Sequence, residues 1–141
     1  MKSIFVIGLV LLSGCHRSGT WIDSPGNWNR AFNSRKPLDV VVVHSKYWRS
    51  PHWTYEFEYF FQIRSNAMLA AQLMTRNNLV QIDGTNAINL MEQYFGEKPD
   101  WFIPRGHDAY ETWIYGSEPR GNFRVFVDKQ SHDMFLSDNQ I

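Results

Sequence analysis

The chain has 141 residues, equal numbers of basic and acidic side chains, a single cysteine and 16% aromatic residues. Zero formal charge argues against the basic footprint of a nucleic-acid binder and against a polybasic membrane patch. One cysteine leaves no internal disulfide, so stability must come from packing, which ring-rich composition can supply.

The first residues, MKSIFVIGLVLLSGC, place Lys2 before an apolar run from Ile4 to Leu12 and small residues before Cys15. The run is far shorter than the ~20 residues a spanning helix needs, so it reads as a secretory signal rather than a transmembrane element. Leu12-Ser13-Gly14-Cys15 resembles the lipobox of bacterial lipoproteins. The resemblance implies removal of residues 1–14 and acylation of Cys15. It also implies a protein in the cell envelope, attached to a membrane through lipid without spanning it. His16 stands where aspartate commonly retains such proteins in the inner membrane, so the resemblance points to the outer membrane, facing the periplasm.

Residues 15–37 read as an acylated tether followed by a short packed segment, with one helical turn at Asn27 to Phe32 laying Trp21, Trp28 and Phe32 on the domain. A single domain is expected over residues 38–141.

LDVVVVHSKYW and WTYEFEYFFQIR are β-rich runs on either side of a turn. Pairing Trp48 with Thr54 places Lys46 opposite Glu56, His44 opposite Glu58 and Val42 opposite Phe60, and gathers Val41, Val43, Tyr47, Tyr55, Phe57, Tyr59 and Phe61 on the other face. The loop is then Arg49 to Trp53. A helix capped by Ser65 and ended by Asn77-Asn78 follows, and a second is expected over Thr85–Phe95. The loop GEKPDWFIPRGHDAY leads to three short strands, YETWIYG, NFRVFVD and MFLSD, with turns at SEPRG and DKQSHD. Strands, helices, strands in that order indicate an α+β domain: an antiparallel sheet of two N-terminal and three C-terminal strands, with helices packed on one face. Residues 123–138 resemble the terminal hairpin of PepSY-like and cystatin- or NTF2-like exported modules, with His132 where those carry glycine. That likeness implies no function.

The five histidines show no zinc-ligand spacing, and no metal or other cofactor is expected. GxSxG, GxxxxGK and GxGxxG are absent. His44 with Glu58 is the one catalytic pairing that the hairpin suggests, and cross-strand pairing explains both residues more simply. Binding is better supported. Trp48, Arg49, His52 and Trp53 surround the hairpin tip, and Trp101 with Arg105 gives a later loop similar chemistry. The sequence therefore predicts a lipid-anchored, non-catalytic binding module whose partner is an envelope protein or a glycan. The alternatives are a periplasmic inhibitor or immunity protein, a small envelope hydrolase, and a domain that only oligomerises.

Overall fold

A computed structural model describes residues 18–116 and 122–141. Cys15, the signal segment and the SEPRG turn lie outside the described residues.

The fold is α+β, a seven-stranded antiparallel sheet with three α-helices. The strands are β1 (Gly19–Ile22), β2 (Val42–Arg49), β3 (Phe57–Ile63), β4 (Leu79–Ile82), β5 (Tyr110–Tyr115), β6 (Arg124–Asp128) and β7 (Met134–Gln140). The helices are α1 (Asn27–Phe32), α2 (Ala67–Arg76) and α3 (Gly84–Glu92). Sheet order is β1-β2-β3-β7-β6-β5-β4. The two short outer strands, GTWI and LVQI, are additions to the expected five. Because β1 belongs to the sheet, the domain begins before residue 38.

Period-two alternation divides the side chains between two cores. On one face Tyr47, Tyr59, Phe61, Ile63, Val125 and Leu136 pack with Trp28 of α1 and Leu69 of α2. On the other, Phe60, Phe126 and Phe135 pack with Met91 of α3, Phe102 and Ile103. Helices on one face therefore describes α1 and α2, while α3 and the segment after it cover the opposite face. The cause is the aromatic content of both faces: β3 buries Phe60 as completely as Phe61, so each face needs a cover. Phe102 is fully buried and meets Phe60, Phe126 and Phe135 edge-on, with centroids 5.0 to 6.0 Å apart.

Local signals explain most helix boundaries. Asn66, one residue beyond the expected Ser65, caps α2, its side chain accepting from Leu69 N–H at 2.9 Å. Asn77 ends the helix by donating to the Leu73 carbonyl, and Asn78 takes a left-handed conformation. α3 stops at Glu92, before the expected Phe95. Here the buried Arg124 guanidinium of β6 donates to the carbonyls of Leu90 (2.7 Å) and Gln93 (2.6 Å). The buried Glu58 carboxylate of β3 accepts from the N–H groups of Phe95 and Gly96, both at 2.8 Å. An anion and a cation from the sheet thus hold the chain from 90 to 96 by its backbone. A Cβ on Gly96 would stand 3.0 Å from Glu58 Oε2, so glycine permits the approach.

Replacing Glu58 by alanine leaves two buried N–H groups unpaired and removes one of the negative charges near Arg124. The expected loss is about 3–5 kcal/mol in urea unfolding. A loss below 1 kcal/mol would contradict the role assigned to this carboxylate.

Candidate functional site

The β2-β3 hairpin differs from the expected register by four residues. Trp48 pairs with Glu58, Tyr47 with Tyr59, Lys46 with Phe60 and His44 with Gln62. An even displacement keeps the side chains from His44 onward on their predicted faces. A bulge between Val42 and His44 brings Val42, rather than Val43, against the first core. The displacement separates His44 from Glu58. Two backbone N–H donors satisfy Glu58 better than one exposed histidine would, and the register follows them.

The connection now runs from Ser50 to Glu56, and it is braced at its base. Ser50 is buried, donates its N–H to the Glu56 carbonyl at 3.1 Å, and donates its hydroxyl to the Thr54 carbonyl at 3.3 Å. Tyr55 and Tyr47 hydroxyls meet at 3.3 Å, and the Arg49 guanidinium lies 4.3 Å above the Tyr55 ring. Trp48 is half-buried, its ring 5.2 Å from Phe95. Trp53 projects with its side chain wholly exposed, and Pro51, His52 and Thr54 beside it are exposed as well. The tip is exposed and rich in rings.

The other residues singled out from the sequence are committed elsewhere. His44 approaches Asp23 at 3.4 Å and stacks on Trp101 with centroids 5.3 Å apart. Asp23 also accepts from Ser45 N–H at 2.8 Å, so this carboxylate extends the β1-β2 pairing. Trp101 and Phe95 rest near opposite ends of the β2 row that holds His44, Lys46 and Trp48, and Lys46 donates to the Glu97 carbonyl between them. The later loop thus lies along β2, with Trp101 at the His44 end, away from the tip. Arg105 lies at the far end of the sheet from the tip, donating to Asp128 and to Gln130. Desolvation would raise the Asp128 carboxyl, but the N–H groups of Ser131 and Gln130 together with Arg105 hold it below the usual range. The same turn places His132 in the left-handed region, where the resembling hairpins carry glycine.

Among the described residues, two cavities that open on the surface lie away from the tip. One, about 550 Å³, lies between α3 and the 96–107 segment and is lined by Met91, Tyr94, Lys98, Ile103, Arg105 and His107. Its cations are engaged: Lys98 donates to the Phe102 carbonyl and Arg105 to Asp128. The other, about 440 Å³, lies beside α1 between Trp28, Leu38, Val41 and Phe61. Neither is lined by His44, His52 or Glu58. Among the described residues no group of three or more His, Cys, Asp or Glu stands where it could hold a metal, and no helix is long and apolar enough to cross a membrane.

One group escaped the sequence reading. Asp138 shares a face with Met134 and Leu136 opposite Tyr59, and burial pushes its carboxyl up to about 6 despite the N–H groups of Asn139 and Asn122 and the charge of Arg124. Period-two spacing in MFLSD, which aligns Asp138 with two core residues, was the available signal. Tyr59 and Tyr115 face it, and burial raises both phenols.

Comparison with protein-family models, with curated proteins and with solved structures returned no match.

Asp138 gives a signed pH dependence. Its folded pKa exceeds the unfolded value, so between about pH 4 and 6 the unfolded chain releases a proton that the folded one keeps, and stability falls as pH rises through that window. Asp138→Asn removes the effect. Relative to the parent, the variant should gain about 2 kcal/mol between pH 4 and pH 7, read from urea midpoints. A pH-independent difference would refute it.

Proposed function

We propose that this protein is a lipid-anchored, non-catalytic binding module of the bacterial cell envelope, attached through acylated Cys15, with the 50–56 hairpin tip as its working surface. The observation that carries the reading is the full exposure of Trp53 on a tip whose base is fixed by hydrogen bonds and ring contacts. A large ring held out in water on a rigid support loses little conformational entropy on burial, which is the economy of an interaction hot spot. Anchoring adds to it, since tethering raises the effective concentration of a weak binder near envelope targets.

A hydrolase reading draws less support. His44 and Glu58 are not partners, Glu58 is occupied by backbone N–H groups, and the cavities lie elsewhere. The inhibitor or immunity reading is a special case of the binding module, with an envelope enzyme as the target of the same tip.

A photo-cross-linking residue in place of His52, carried by the full chain in its native cells, tests the proposal. Adducts with envelope components should form at His52, diminish several-fold with Trp53→Ala, and disappear with Cys15→Ser, which should also move the protein into the soluble fraction. Trp53 is the informative substitution, because Trp48 also supports Phe95. Adducts equally abundant from exposed Gln72 on α2, or membrane retention of the Cys15→Ser protein, would overturn it.

A further inference from the structure

We infer that the target of the hairpin tip is the bilayer itself: the tip seats in the interfacial layer of the membrane that holds the acyl chains of Cys15. The inference rests on the lipid-anchored reading and adds what the tip touches.

The geometry is set by β1. Gly19 pairs with Arg49, the last residue of β2 before the tip, so the chain enters the sheet at the end where the tip projects. Gly19 lies four residues along the chain from Cys15. Fully extended they reach at most about 14 Å, at ~3.6 Å per residue. β2 has eight residues and rises roughly 23 Å from one end to the other. The tether is therefore shorter than the sheet is tall. It holds the tip end within reach of the bilayer surface while the opposite end, with exposed Leu38 and Val41, stays in water.

The residues at the held end have the chemistry of a membrane interface. Trp53 is wholly exposed, and Tyr55, Phe95 and Ile141 are about half exposed or more. Phe95 rests on Trp48, and Ile141 follows Gln140, the partner of Phe57 at the base of the tip. Tryptophan and tyrosine favour the headgroup level, where an apolar ring and a polar edge are both satisfied. An acyl anchor and an interfacial ring together fix orientation as well as attachment, which a flexible tether alone would not do.

The test uses the lipidated mature protein in vesicles of phosphatidylethanolamine and phosphatidylglycerol. Cys15 is the sole cysteine and is acylated, so Thr54→Cys supplies a single free thiol for an environment-sensitive fluorophore, and Val41→Cys supplies the same at the opposite end. Headgroup nitroxide lipid should quench the Thr54 probe at least threefold more than the Val41 probe, with a blue-shifted emission, and Trp53→Ala should abolish the difference. Equal quenching of the two probes on protein that floats with the vesicles would overturn the inference and leave the anchored reading standing. Shielding of Thr54 that requires added peptidoglycan would overturn it as well. Protein that neither floats nor carries acyl mass on Cys15 would remove the anchored reading, and the inference with it.

Discussion

Two buried charges from the sheet hold one short piece of chain, and the second layer of the protein depends on them. Glu58 takes the N–H groups of Phe95 and Gly96, and Arg124 takes the carbonyls of Leu90 and Gln93. Both side chains are more than nine-tenths buried. Each charge is therefore costly to desolvate and must be satisfied by fixed dipoles, which exposed backbone at the end of a helix provides. Burial lowers the Arg124 pKa, and the attraction of Glu58 opposes that shift. The clamp ends α3, sets the path of the following loop and delivers Phe102 and Ile103 to the second core.

Closing both faces has a functional consequence. A sheet covered on each side offers neither face as a binding platform, and the polar side chains lying between the layers are taken up by structure. Glu58 is the clearest example: a carboxylate that invites a catalytic role in the sequence is the anion that fixes a loop. The most exposed ring among the described residues is at one end of the strands. That end carries the braced tip with Trp53, and β1 enters the sheet there through Gly19.

The strands of the hairpin, the closing meander and both longer helices were legible because their apolar periodicity is strong and their caps are local: Asn66, Asn77 and Asn78 act within a turn of their own positions. The α1 turn at Asn27 to Phe32 was legible from its rings. GTWI and LVQI were not, since four residues carry too little periodicity and their partners lie distant in sequence, Trp21 against Tyr47 and Val80 against Ile114. The hairpin register was missed for a related reason. Cross-strand charge pairing favours Glu58 opposite His44, but the donors that decide the register come from residues 95 and 96, whose approach no local pattern encodes. Of the candidate site, the ring content of the tip was legible, whereas the commitment of Arg105 and Trp101 to structural contacts depends on tertiary neighbours. Asp138 had a visible signal, an acid in phase with core residues.

The account's central claim is that the sheet is sealed on both faces and that the protein works through its tip. Hydroxyl-radical footprinting of tryptophans, in native membranes and again after detergent release, tests this most directly. Trp53 should oxidise rapidly after release and at least several-fold more slowly in membranes, while buried Trp28 stays slow in both. A Trp53 equally reactive in the two states, or a Trp28 that oxidises as fast as Trp53 after release, would contradict the account.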